Sequence, residues 1–395
     1  MAALNLLPQL NGPPPLTQAI LPETPPFDVA PLLSAYHLVI VAESEAVQRY
    51  GRCQDQPKVA KDAAAYNVLA SRVVGFLFPA LWNIVATEVV SAEGDTELIY
   101  DLGRKYIDHL ICSFRTTTVP LRPPSNHPSR PSMDQLEDML TDAVQGSATD
   151  HRSARTRPRS IKALARDGYH CMLTNAVDAD SFDNHGAIKK LRSDTGAAVR
   201  LVRTCHILNE YILQNIEPDD DARMRGGALE ILRMFGLEDV VEHLMTIIPG
   251  DTASASGVHD LLNILSLISD LQILFDMLNL MLALEPTADN EPNTYDVVFA
   301  CPEIAIGYFG LKNRITLSNF ADTRKFKRAG GQLELPLPEP RLLALHAVCV
   351  RVAHMSGAAE ALDKFDRDVE ETSVLAEDGS SAHLLNMILS PLVSA

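Results

Sequence analysis

A small set of side chains in the middle of this 395-residue chain has the types and spacing that chemistry uses. His206 lies near the end of the apolar stretch AAVRLVRTCHIL with Cys205 beside it. Asn263 sits in LLNILSL, and Gln272 and Asp276 stand four residues apart in SDLQILFD. An imidazole is neutral near pH 7 and can take a proton from water, which is the work of a general base. On a helix Asp276 shares the face of Gln272, whereas Asp270, two positions before it, points away. Each residue also has a plain reading. His206 on an apolar strand can be a satisfied core histidine, Asn263 can cap a helix, and Gln272 can be a helix residue with no ligand duty. Cys171 and Cys205 read as small buried hydrophobes, because no CxxC pair completes a tetrahedral site. His346 and His354 are eight residues apart on one helix, about 12 Å at 1.5 Å per residue, too far to share a metal. A G-x-G-x-x-G after a strand, a P-loop, a G-x-S-x-G elbow and an H-E-x-x-H motif are all absent from the sequence.

Three patches occur in a fixed order: ARDGYHCMLTN from Ala165 to Asn175, TCHILN from Thr204 to Asn209, and NILSLISDLQILFD from Asn263 to Asp276. Together with the tail LPLPEPRLLALHAVCVRVAHMSGAAE, Leu335 to Glu360, this order resembles the HNH nuclease domains of uncharacterised fungal proteins, from about residue 150 to about residue 380. The resemblance implies a ββα-metal module, a two-stranded ribbon packed on a helix, that hydrolyses DNA phosphodiester bonds with one divalent cation, magnesium or manganese. It implies His206 as the general base. Asn263 would hold the loop that carries the base or orient its imidazole, and position 272 would be a metal ligand. The sequence departs from the pattern at two places. Position 272 is Gln where the family has His, and position 205 is Cys where related nucleases often carry an acidic or His ligand. A ligand set of Cys205, Gln272 and Asp276 is therefore the expectation. A catalytically inactive protein that keeps the fold for protein or DNA binding is the alternative.

These patches need elements to position them, and the pattern predicts a helix-rich α+β chain. Residues 1–31 hold eight prolines and read as a leader without helix or ladder hydrogen bonds. Residues 32–115 read as an N-terminal helical region, with Asp95 or Thr96 capping DTELIYDLGRKYIDHLICSF. The five prolines of residues 116–132 mark a linker, and Met133 to Val144 forms a short amphipathic helix. The nuclease-like domain spans residues 151–300. In it GYHCMLT and AAVRLVRTCHIL read as strands, Gly236 separates two short helices, and His259 to Leu284 reads as one longer helical region. YDVVFA, residues 295–300, reads as a strand at the end of that domain, and residues 301–395 add a strand at NRITLSNF and a long helix beginning at Pro340.

Composition constrains the function. The chain carries 34 Lys+Arg against 51 Asp+Glu, a net charge of −17, so bulk charge does not suit it to coat nucleic acid or an anionic membrane. Between His151 and Thr204 the sign reverses, with eleven basic residues against five Asp. In that block Arg157, Arg159, Lys162 and Arg166 are the candidate phosphate contacts, with a solvated linker as the plain reading. The run RKFKR, Arg324 to Arg328, could also touch phosphate. The N-terminus lacks a positive segment before its short apolar stretch, and the apolar run Leu261 to Leu284 contains Asp270, Gln272 and Asp276. With six scattered cysteines, an intracellular protein, nuclear or cytoplasmic, with reduced thiols is the expectation.

Overall fold

A computed structural model describes residues 15–17, 21, 30–115, 157–184, 186–209, 221–245, 260–278, 282–289, 291–299, 307, 309–319 and 335–371. The expected linker at 116–132, the helix at 133–144 and the basic run at 324–328 lie outside the described residues. The architecture is helix-rich α+β with three small sheets.

The N-terminal region forms α1 (Ala30–Arg52), α2 (Lys58–Leu77), α3 (Trp82–Ser91) and α4 (Thr96–His109). Asp95 caps α4 by accepting from the Glu97 N–H at 2.9 Å. The apolar stripe of α4, Ile99, Leu102, Tyr106 and Ile107, is buried. Gly103 lies in that stripe against the backbone of α2, where a Cβ would fall 2.2 Å from the Ala70 carbonyl oxygen. Only hydrogen lets the two helices approach so closely. Part of the expected leader is packed on this unit: Leu16 and Leu21 are buried, and the Leu16 N–H donates to buried Glu43 at 2.9 Å.

A 3₁₀ turn, Ile111–Phe114, leads from α4 to the centre. Asn209 anchors there, with its N–H on the Ser113 carbonyl at 2.8 Å and its amide on the Arg115 carbonyl at 2.7 Å. The central elements are α5 (Arg157–Arg166), β1 (Val177–Asp178), α6 (Ala179–Asn184), α7 (Gly186–Thr195), β2 (Val199–Arg200), β3 (Val202–His206), α8 (Asp221–Leu232), α9 (Glu238–Met245), β4 (Ile264–Ile268) and α10 (Ser269–Met277). Strands β1 and β2 pair in parallel, β3 and β4 antiparallel. Then come β5 (Ala283–Pro286), β6 (Thr294–Val298) and β7 (Arg314–Thr316), one antiparallel sheet in sequence order, followed by α11 (Pro340–Ser356) and α12 (Ala358–Glu371).

Three elements differ from the sequence reading. GYHCMLT is mostly turn, with one isolated bridge from His170 to Val177 and positive φ at Gly168, Tyr169 and Asn175. The single helix expected from His259 to Leu284 is instead a 3₁₀ turn at Leu261–Asn263, the strand β4 and the short helix α10, stopped at Leu278 with φ 57°. Every residue of β4 is buried, so the segment is apolar on both faces, and periodicity cannot tell such a strand from a buried helix. The C-terminal helix breaks at Gly357, whose φ of 84° ends α11, and α12 leaves at 80°.

The main hydrophobic core runs as one cluster from Leu16 to Ala359, crossing the boundaries expected between regions. Helix α11 packs on both β5 and α2, and α8 packs on α4. Among the described residues no single helix is long and apolar enough to cross a membrane.

Candidate active site

Strands β3 and β4 form a two-stranded ribbon in the register Val202 to Ile268 through His206 to Ile264, and α10 follows β4 without a loop. The ribbon lies in contact with both α5 and α10. The Ser269 N–H, at 3.0 Å, and its hydroxyl, at 3.3 Å, both donate to the Leu201 carbonyl, which pins the start of α10 to the start of β3.

Asn263 sits in the turn just before β4 and is fully buried. Its Oδ1 accepts from the Leu208 N–H at 2.8 Å, its Nδ2 donates to the Leu208 carbonyl at 3.1 Å, and its own carbonyl accepts from the Ile207 N–H at 2.9 Å. The side chain thus satisfies both polar groups of Leu208, and with the Asn263 main-chain carbonyl on Ile207 it fastens the two residues that follow His206. It is directed at the backbone, away from any ligand role. His206 itself is half-buried at the end of β3.

Successive strand residues face opposite sides, so Cys205 turns to α10 while His206 lies on the other face of the ribbon. The Cys205 thiol donates to Asp276 Oδ1 at 3.3 Å, and Gln272 Nε2 donates to Asp276 Oδ2 at 3.4 Å. The three expected ligands therefore do meet, as a hydrogen-bonded row across strand and helix. Burial pushes the Asp276 carboxyl up to about 6, against two hydrogen bonds that lower it. Burial, joined by the neighbouring Asp276 charge, pushes the Cys205 thiol well up, so it stays protonated. In this arrangement the thiol acts as a hydrogen-bond donor to Asp276. Asp276 has two neutral neighbours at its carboxyl, and burial is the largest influence on it. Among the described residues no group of three or more His, Cys, Asp or Glu is placed to hold a metal ion.

The expected phosphate contacts fare differently. Arg166 is fully buried, and its guanidinium is spent inside the protein on Asp167, on the carbonyls of Leu261 and Ile264 at 2.8 Å each, and on the Pro336 carbonyl at 3.2 Å. It has no route to a phosphate. Lys162 is half-buried on α5, and the side chains of Arg157 and Arg159 lie outside the described residues. Exposed cations stand elsewhere: Lys189 and Lys190 on α7, together with Arg192 and Arg200. The local charge reversal in the sequence already included these four, but nothing in it separated them from Arg166.

Two further groups brace the site. Asp178, fully buried, accepts from Ser181 with both its N–H and its hydroxyl and from the Val202 N–H at 3.2 Å, tying β1 to the start of β3. His346 on α11 is fully buried, stacked on Phe275 of α10 with centroids 3.9 Å apart and edge-on to Phe114. Burial pushes its imidazole down to about 3, which keeps it a neutral structural ring. His346 was read from the sequence as structural, and its contacts are of that kind.

No family model, curated protein or solved structure matches the chain.

Proposed function

We propose that this chain carries an HNH-type endonuclease module of the ββα-metal kind, a metal-dependent hydrolase of DNA phosphodiester bonds with His206 as general base. The observation that supports it best is the Asn263 clamp: the residue that resembles the family's asparagine holds Leu208, and with it the chain just beyond His206. The order of ribbon, clamped turn and helix agrees with that frame. A base must be held within hydrogen-bond reach of its water, and anchoring the backbone next to His206 limits how far the imidazole can wander. His206 would take the proton of the attacking water at an imidazole nitrogen.

For a divalent cation the donors fit in part. Asp276 is a half-buried carboxylate with neutral neighbours, and Gln272 offers an amide oxygen one turn away, a set suited to a weakly held, hard ion that keeps most of its waters. Gln272 and Asp276 would hold it, and Cys205 would orient Asp276 through its thiol proton. That set faces α10, on the side of the ribbon opposite His206, so an ion held there would not share a phosphate with this base, and no step of the reaction is assigned to it. Lys189, Lys190 and Arg192 on α7, with Arg200, supply cations for the phosphate backbone, which makes DNA contact local and salt-dependent on an otherwise acidic chain.

A second reading, a catalytically silent protein that keeps this fold for protein or DNA binding, is favoured by one observation: both oxygens of Asp276 already accept hydrogen bonds from Cys205 and Gln272. Plasmid nicking by the purified full-length chain with manganese or magnesium decides between the two. The endonuclease reading expects His206→Ala to lose on the order of 10²–10⁴-fold in rate, the contribution of a general base. Equal rates for the two proteins refute it.

A further inference from the structure

The buried guanidinium of Arg166 reaches further into the site than its place on α5 suggests. A guanidinium has five N–H donors, and five oxygen acceptors surround this one, both oxygens of Asp167, at 2.6 and 2.9 Å, and the carbonyls of Leu261, Ile264 and Pro336, with the Met172 sulfur a weaker sixth at 3.7 Å. The Leu261 and Ile264 carbonyls stand on either side of Asn263. The fork therefore grips the turn Leu261–Asn263 from both ends, and the Glu339 N–H, at 2.8 Å on the Leu262 carbonyl, closes it from the C-terminal side. Asn263 in turn grips Leu208, two residues beyond His206.

We propose that Arg166 is a positioning residue: it fixes the turn that aims Asn263 at Leu208, and through that clamp it holds the segment carrying His206. The link to catalysis rests on the reading of His206 as the base, while the mechanical link from Arg166 to Leu208 does not. Two alternative roles make different demands. A phosphate ligand would need at least one free donor and a path to solvent, and Arg166 has neither. A general core brace would stabilise the whole molecule evenly and not one turn.

Amide hydrogen exchange on the full-length chain, read residue by residue by NMR, separates these roles. Arg166→Lys keeps the charge beside Asp167 but replaces a planar fork by a single ammonium that cannot span three carbonyls. The Leu208 and Ile207 amides, both bonded to Asn263, are then expected to exchange about 10–100-fold faster, the scale of a lost buried hydrogen bond to a charged group. The Phe78 amide, which closes α2 on the Val74 carbonyl, is expected to stay within twofold of wild type. Added to Asn263→Ala, Arg166→Lys should give no further acceleration at Leu208, because the two act in series. Equal acceleration at Phe78 and Leu208, or none at Leu208, overturns the proposal. Should Arg166→Lys fail to fold, Asp167→Asn, which keeps the fork and loosens one anchor, is read at the same amides with the same direction expected. In a chain that nicks plasmid, Arg166→Lys lowers kcat and leaves KM for DNA unchanged, and a raised KM with unchanged kcat overturns the positioning role. Exchange needs no activity. A wild-type chain that fails to nick therefore refutes the endonuclease reading alone, whereas unchanged exchange in an active chain refutes the Arg166 link alone.

Discussion

Asp276 makes the fold less stable at the pH where the proposed chemistry would run, and Asp276→Asn exposes that cost. Its carboxyl, bracketed by the Cys205 thiol and the Gln272 amide, sits at about 6 in the folded chain against an ordinary 3.8. At 1.36 kcal/mol per pH unit, that difference is worth about 3 kcal/mol, an order-of-magnitude figure. The sign follows from proton binding. Below pH 3.8 both the folded and unfolded chains hold the proton and nothing is lost. Between the two values only the folded chain holds it, so stability falls as pH rises, and above about 6 the full cost remains. Asn has the same shape without the charge, and its oxygen still accepts from Cys205. Urea unfolding at pH 4 and pH 8 measures the effect. Wild type and variant should be close at pH 4, and the variant should gain on wild type by about 3 kcal/mol at pH 8. Asp108 is also raised to about 6 by burial, but it is present in both proteins and drops out of the difference. An ion on Asp276 would offset the penalty: at ten times its Kd, magnesium should stabilise wild type by about 1.4 kcal/mol and the variant by nothing. A difference between the two proteins that is flat from pH 4 to 8 refutes the argument, and equal magnesium effects refute the ion.

Two shorter tests bear on the site and on its support. Gln272→His restores the ligand type that the resembled family carries, and it should raise manganese-dependent nicking above wild type; an unchanged rate means that the loss lies beyond the ligand. Gly103→Val places a Cβ 2.2 Å from the Ala70 carbonyl and must push α4 off α2, so urea unfolding should show a loss of at least 1–3 kcal/mol, the usual cost of overpacking. A loss under about 0.5 kcal/mol, as for an ordinary surface change, would place the helix contact elsewhere.

Much of the frame was legible in the sequence because it rests on local signals. Asp95 announced α4, Pro340 announced α11, and Gly236, with φ 76°, parts α8 from α9 as its type suggests. The strand ending in His206 was legible from its β-branched run, and the proximity of Gln272 to Asp276 from their spacing. What stayed hidden depends on the other side of the molecule. Ile264 to Ile268 is apolar throughout because it is covered on both faces, and coverage leaves no period in the sequence that tells strand from helix. Arg166 counts as one more positive charge in a basic block until the three carbonyls around it are located, two of them some 95 residues away. The Cys205 contact with Asp276 spans 71 positions, and only the ribbon's register brings it about.

The ribbon that carries His206 joins residues far apart in the chain: His206 pairs with Ile264 across 58 positions, where a tight hairpin would need only a few. Closing a loop that long costs about 2 kcal/mol more entropy than closing one of four residues, and two five-residue strands cannot meet that cost alone. The Pro336 carbonyl and the Glu339 N–H also hold the turn that begins β4. During synthesis the site must therefore wait until that distant segment has left the ribosome. The N-terminal helices make their closest packing with one another and can begin to associate while the base and its clamp are still unassembled, although α2 and α4 complete their burial only when α11 and α8 arrive, so the chain gains its site late in folding.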